Sequence, residues 1–119
     1  ALAYPIGAKF HVPHGLSNSL VLTKVLSFNA KKAESMYCEI AGDCLPYLRG
    51  KKIGIDDFIL GIEELIADLK IPKCLKDVGI NHNDIPMLAE DAMKQQRLLV
   101  NNPRELKLED AKSIYQNAL

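Results

Sequence analysis

The sequence contains no tryptophan, and aromatic residues make up only 6% of it. Proteins that stack bases on aromatic faces need more rings than this, so single-stranded nucleic acid is a poor candidate ligand. Net charge is also missing, since fifteen Lys and Arg offset fifteen Asp and Glu. Duplex binding draws its affinity from an excess of cations over phosphates, so this balance argues against a nucleic-acid partner. No apolar run approaches the ~18 residues that would cross a bilayer. No stretch has the charged, apolar and small-residue order of a signal peptide. Cys38, Cys44 and Cys74 cannot all pair, and none sits in a Cys-x-x-Cys unit. An odd count of that kind points to free thiols in a reducing compartment and hence to a cytoplasmic protein. The glycines form neither Gly-x-Gly-x-x-Gly nor a phosphate-cradling Gly-Lys-Ser/Thr loop. An initiating Met is absent too: the chain opens Ala1-Leu2-Ala3-Tyr4, as a piece of a longer protein would.

What remains is an ordinary globular mixture, 48% hydrophobic and 25% charged over 119 residues, the size of one domain. Residues 1–52 carry seven cations against three acids, and residues 53–119 carry eight against twelve. An asymmetry that mild lets two halves of one domain attract, or lets the first half face an anionic cofactor. Alternation of period two is nearly absent, and helical spacing dominates. The clearest stripe is Ile55, Phe58, Ile59, Ile62, Leu65, Ile66 and Leu69, with Gly54 before it and Pro72 after it. A second runs Ala33, Met36, Tyr37, Ile40, Ala41 and Cys44 and stops at Pro46. Leu16, Leu20, Val25 and Leu26 predict a separate helix between Gly15 and about Asn29. Asn81-His82-Asn83-Asp84 supplies capping groups ahead of a helix carrying Ile85, Leu88, Ala89, Ala92 and Met93. Asn101-Asn102-Pro103 breaks that helix, and a last one bears Leu108, Ala111, Ile114, Tyr115 and Ala118. The expected fold is all-α: one compact bundle of about five helices over residues 1–119, with no room for a parallel sheet.

A bundle does not name a function; only particular residues can. Two of the three histidines, His11 and His14, lie in the first fifteen residues, and Pro13 and Gly15 flank His14. Neutral imidazole is the commonest metal ligand. The two rings are three apart and would share one face of a continuous helix, which Pro13 opposes by disfavouring a helical Val12. The residues alone leave His14 open as a helix cap or core residue on one side and a ligand on the other. No Asp, Glu or Cys stands at ligand spacing to complete a sphere. His82 is read as a surface residue in a capping turn.

The run from Ala1 through Pro5-Ile6-Gly7 to Pro13-His14-Gly15-Leu16-Ser17-Asn18 resembles a signature of the iron-containing (group III) alcohol dehydrogenases. Phe28-Asn29, Leu69-Lys70-Ile71-Pro72, Asp84-Ile85-Pro86 and Asn102-Pro103-Arg104 agree in order, so the likeness covers essentially the whole chain. The resemblance implies the C-terminal helical, metal-binding domain of a larger enzyme. An N-terminal α/β domain that binds NAD or NADP would be absent from this chain. The family's metal, Fe²⁺ and sometimes Zn²⁺, is held by one Asp and three His. By motif match His14 is the last of these ligands, and the ligand before it would stand immediately ahead of Ala1. Tyr4 takes a position near the nicotinamide that many relatives fill with His, which implies a catalytic or cofactor-binding role for its phenol. Tyr is a poorer proton shuttle near neutral pH, and the departure weakens that role. His11 and Phe10 stand close enough to His14 in sequence to line the pocket, His11 on the cofactor side, and Leu98 and Leu99 are read as ordinary core or as groups projecting toward the substrate cavity. Lys107 departs from the Thr or Ser that often precedes the last helix, so that helix is expected to lack its side-chain cap.

The activity so implied is hydride transfer between a small alcohol and its aldehyde or ketone, with the metal as Lewis acid on the oxygen. The partners implied are the substrate, the enzyme's own nucleotide-binding domain and further copies of itself. Neither nucleic acid nor membrane is expected. The piece alone is expected to fold without turnover and to self-associate through the first helix and the Pro13-Gly15 turn. Two other readings stand beside this one. The first is a helical structural or interaction module without catalysis. The second is a related enzyme on the same scaffold, such as a maleylacetate reductase or a hydroxyacid dehydrogenase.

Overall fold

A computed structural model describes all of residues 1–119, and every regular element in it is helical. In chain order these are α1 (Ala3–Phe10), α2 (His14–Cys44), α3 (Ile55–Asp68), α4 (Ile85–Met93), α5 (Gln96–Leu99) and α6 (Leu108–Asn117). Short 3-10 turns at Pro46–Leu48, Leu75–Val78 and His82–Asp84 join them. The all-α expectation is met, with six helices where about five were read. The additions are short: α1 lies inside the stretch read only as a signature, and α5 is a single turn.

One expected break does not exist. Residues 15–29 and 33–44 belong to one helix of 31 residues, because no Pro and no Gly interrupts the chain between Gly15 and Gly42. At 1.5 Å per residue α2 runs about 46 Å, and the molecule measures 43 Å along its longest axis. Six of its eight buried positions, Ser17, Val21, Asn29, Ala33, Tyr37 and Ala41, fall on a spacing of four or eight, with Leu20 and Thr23 beside the row. A row of that spacing turns by about 40° at each step of four and by roughly 240° from position 17 to position 41. The stripe therefore winds around the helix. The first half of α2 faces one set of partners and the second half another, which is why the apolar pattern resembles two helices.

The first set of partners is large. Leu2 and Ile6 of α1, Leu20 and Val21 of α2, Leu88, Ala89 and Ala92 of α4, and Ile114, Tyr115 and Ala118 at α6 belong to one core of sixteen buried residues. Tyr115 is fully buried, and its hydroxyl donates to the Leu2 carbonyl at 2.7 Å, tying the last helix to the start of the first. Burial there raises the phenol's pKa well above its ordinary value, and Asp91 nearby adds to the effect. The second set is small: Ala33, Tyr37, Ala41, Leu45 and Phe58 form a core of five between the far half of α2 and α3. The apolar stripe of α3 is correspondingly less covered than its regularity predicts. Phe58 is buried, yet Leu65 and Leu69 are about half exposed, because α2 is the only long helix beside them.

Four starts of helices or turns are closed alike. An Asp three residues on accepts the backbone N–H of the residue before the element: Asp57 from Gly54, Asp77 from Cys74, Asp84 from Asn81 and Asp110 from Lys107. Lys107 indeed offers α6 no side-chain cap, and the Asp110 carboxylate at 2.9 Å closes the other half of the arrangement. Asn81 also accepts from Asn83, and His82 is exposed in that turn as read. The charge asymmetry finds expression in Lys9–Asp91 and Lys24–Glu63, two ion pairs that join the basic first part to the acidic remainder. Lys9 is exposed and Lys24 half-buried, both within reach of solvent, and each pair contributes at most about 1 kcal/mol.

Candidate metal-side site

The site is built where α1 hands over to α2. Pro5 falls in the first turn of α1, where its missing N–H costs nothing. Gly7 lets the helix come close to the segment that leaves it, since a Cβ there would meet the Val12 carbonyl oxygen at 3.3 Å. His11 ends the helix in the left-handed region at φ 55°, and Pro13 at ψ 142° then sets the chain extended before α2 begins. Val12 between them is buried. Ser17, fully buried one turn into α2, directs its hydroxyl at the Val12 and Pro13 carbonyl oxygens, 3.2 and 3.1 Å away. The turn Val12-Pro13 is thus held on both sides, by Gly7 from α1 and by Ser17 from α2.

His14 is the first residue of α2 and is exposed. It stands on that pinned turn without being part of the core, so the reading as a core residue falls. It is no side-chain cap either, since the position before α2 is Pro13 and no cap hydrogen bond forms there. The Asn18 amide nitrogen Nδ2 lies 3.2 Å from its Nε2, within hydrogen-bond distance. Tyr4 reaches over from α1 and meets the imidazole edge-on, with centroids 5.7 Å apart and planes at 74°. Tyr4 and His14 are thus brought together in space. His11 is exposed at the end of α1, three residues from His14 but across the break that Pro13 imposes, so no shared helix face unites the two rings.

The donor set is one imidazole. No cluster of three or more His, Cys, Asp or Glu side chains occurs anywhere in residues 1–119. An exposed imidazole on a rigid turn, with its ring nitrogen facing only a rotatable amide, suits a single ligand of a shared metal centre. It does not suit a centre that this chain closes alone.

Beside Asn18 a cavity of about 350 Å³ opens between α2 and α5, lined mainly by aliphatic groups. Leu98 and Leu99 form one wall of it, and Leu99 also packs on the large core, as read. Sequence reasoning missed what shapes that wall. Asn29, 3% exposed within α2, and Asn102 exchange reciprocal amide hydrogen bonds at 2.8 and 2.7 Å. The Asn102 amide also donates to the Arg104 carbonyl, and the Arg104 guanidinium donates to the Phe28 carbonyl while lying 3.9 Å over the Phe28 ring. Phe28-Asn29 and Asn102-Pro103-Arg104, two segments more than 70 positions apart, form one clasp. A buried amide needs a partner able to satisfy it, and two matching amides were the available signal.

Comparison with known proteins places this arrangement. The model of the "Fe-containing alcohol dehydrogenase family, C-terminal" matches residues 1–119. Among curated proteins, the chain is 32% identical to long-chain-alcohol dehydrogenase 1 of Geobacillus thermodenitrificans, a match over 99% of this chain and 30% of that protein. It is 33% identical to lactaldehyde reductase of Escherichia coli, over 98% of this chain and 31% of the relative. The chain therefore spans about three-tenths of the length of the curated relatives it matches. Among solved structures, a 1,3-propanediol oxidoreductase superposes with a TM-score of 0.89 at 27% identity, over 99% of this chain and 31% of that one. An alcohol dehydrogenase from Oenococcus oeni gives 0.87 at 27% identity, with the same shares covered.

Proposed function

This chain belongs to the Fe-containing alcohol dehydrogenase family, and from that premise we propose that it forms the metal-side helical part of a larger oxidoreductase. That enzyme passes a hydride between an alcohol and NAD or NADP. The observation that carries the reading is His14, exposed on a turn pinned by Gly7 and Ser17 and flanked by Tyr4. A divalent metal bound there, Fe²⁺ or in its place Zn²⁺, supplies Lewis-acid polarisation of the alcohol or carbonyl oxygen.

The chain's own residues then have separate tasks. His14 donates one ring nitrogen, for which Asn18 gives up or redirects its hydrogen bond. Ser17 holds the Val12-Pro13 turn so that the imidazole keeps its direction without rearranging. The Tyr4 phenol stands beside the imidazole, where it orients the nicotinamide or the substrate oxygen by hydrogen bonding. His11 extends the same exposed surface as a cofactor-side lining. Tyr4, His11, Pro13, His14 and Gly15 make up the face that meets a nucleotide-binding domain, which brings the remaining metal ligands and the dinucleotide. The relatives' names run from long-chain alcohols to lactaldehyde, so the family alone leaves the alcohol open.

The test monitors NAD(P)H formation by the full-length polypeptide, loaded with Fe²⁺, over a panel of aliphatic alcohols. Turnover is expected in the wild type and a loss of at least about 100-fold in His14→Ala. A wild-type protein that oxidises no alcohol and reduces no aldehyde or ketone would overturn the proposal.

A further inference from the structure

A second cavity, of about 500 Å³, lies between α2 and α6 and has a different chemistry from the one beside Asn18. Lys24, Ser27, Phe28 and Lys31 line it from α2, spaced as residues on one helical face are. Asp110, Ser113 and Ile114 face them from α6, and Arg104 enters from the segment just before that helix. Three cations thus gather here, in a chain whose charges balance to zero. The carboxylates close to them are already engaged. Asp110 accepts the Lys107 N–H at 2.9 Å, and Glu63 pairs with Lys24 at 3.1 Å. Neither Lys31 nor Arg104 belongs to any ion pair of the molecule.

Arg104 is the group that gives this surface a direction. Its Nη1 donates to the Phe28 carbonyl at 2.8 Å while the guanidinium lies 3.9 Å over the Phe28 ring. Those two contacts fix the plane of the fork, and one N–H of the five that a guanidinium carries is spent on them. The rest is preorganised for an oxyanion, so little side-chain freedom is lost on binding. The Ser27 hydroxyl donates to the Thr23 carbonyl at 2.9 Å, which leaves Ser113 as the hydroxyl on offer.

We propose that this cavity binds a phosphate group, either free or carried as a monoester by a small organic molecule. Arg104 presents its fork, Lys24 and Lys31 add point charges from α2, and Ser113 adds a hydroxyl from α6. Donors converging from three parts of the chain match the tetrahedral oxygens of a phosphate dianion better than the single plane of a carboxylate. Phe28 and Ile114 supply apolar surface for an organic remainder. Lys24 and Lys31 stand ten and seventeen residues beyond His14 on the same helix, about 15 and 25 Å along its axis. The site is therefore separate from the metal-side turn, and it stands or falls independently of the dehydrogenase reading.

The experiment is calorimetric titration of the full-length protein at pH 7.5 and fixed ionic strength with orthophosphate, glycerol 1-phosphate and succinate. Saturable phosphate binding is expected in the wild type. It should weaken at least about tenfold in Lys31→Gln and vanish in Ser113→Asp, which sets a carboxylate among the cations. Both residues are exposed, so these variants keep the test valid if Arg104→Gln folds poorly. Lys51→Gln, past the far end of α2, should bind as the wild type does. A second readout is the thermal midpoint, which the bound phosphate should raise in the wild type and not in Ser113→Asp. Tighter binding of glycerol 1-phosphate than of orthophosphate assigns the site to a monoester, and the reverse assigns it to free phosphate. Either result sustains the proposal when Ser113→Asp abolishes it. Succinate bound as tightly as phosphate would overturn it. So would phosphate binding that Lys31→Gln and Ser113→Asp leave unchanged, or the absence of any saturable binding.

Discussion

Two cores of unlike quality lie along one helix. The core around the first half of α2 draws sixteen buried residues from four helices and the segments between them. The core around its second half holds five residues, from α2, α3 and the short link after α2. Tyr115, Ile6 and Leu88 are fully enclosed in the first core, whereas beside the buried Phe58 of the second, Leu60, Leu65 and Leu69 stay about half exposed. The turn that carries the candidate metal ligand packs through Val12 into the first core, and Leu2, Val21 and Leu106 of that core wall the cavity beside Asn18. The candidate ligand thus stands beside the more extensively enclosed of the two cores, and the α2–α3 arm, with fewer buried residues, is expected to open at lower cost.

The largest effect that can break this comparison is Leu88→Ala. Leu88 is fully buried between α4 and its neighbours, so its truncation is expected to cost about 3–5 kcal/mol and to lower the global unfolding transition in denaturant titrations. Gly61→Val probes the other region. A side chain there runs into Leu45 and the Tyr47 hydroxyl, and forcing the contact costs about 1–3 kcal/mol. Hydrogen exchange should show that cost as faster exchange in α3 and the far half of α2, with α4 and α6 still protected. Equal loss of protection in all four would show that the two cores are one unit.

Much of this architecture was legible in the residues, and what was not has a definite cause. Helix type, the α3 boundaries between Gly54 and Pro72, and the capping role of Asn81 come from short-range spacing and punctuation. The continuity of α2 was hidden because an i+4 row drifts around the helix and the stripe changes face near Asn29. The partial exposure of α3 was hidden because periodicity reports an apolar face and not whether a second neighbour arrives to cover it. His14 was legible as a candidate, but that Tyr4 meets it required the turn at His11-Val12-Pro13 to fold α1 back on α2. The Asn29–Asn102 clasp left only the presence of two amides as a signal, since a pairing 73 positions apart leaves no local mark and spacing does not report which Asn is buried.

A smaller effect sharpens the contrast at the seam of the first core. Asn102→Ala leaves the amide of Asn29 buried without its partner, at a cost of about 1–2 kcal/mol. The loss should appear as a lower unfolding midpoint that Asn29→Ala in the same chain does not lower much further. The smallest expected effect is in acid. Backbone N–H groups of Lys73 and Cys74 hold the Asp77 carboxyl below its ordinary pKa of 3.8. Its folded pKa lies below the unfolded one, so its contribution is present above about pH 4 and is lost as pH falls through the folded value. Asp77→Asn should therefore flatten the dependence of stability on pH below that point and leave stability changes between pH 6 and pH 8 as they are.

The most direct measurement is the metal content of purified full-length protein after loading with Fe²⁺ or Zn²⁺, compared between wild type, His14→Ala and Gly61→Val at matched folded fractions. About one metal per chain is expected in the wild type and in Gly61→Val, and close to none in His14→Ala. Wild-type occupancy in His14→Ala would contradict the assignment, because the imidazole on the Pro13 turn would then hold no metal.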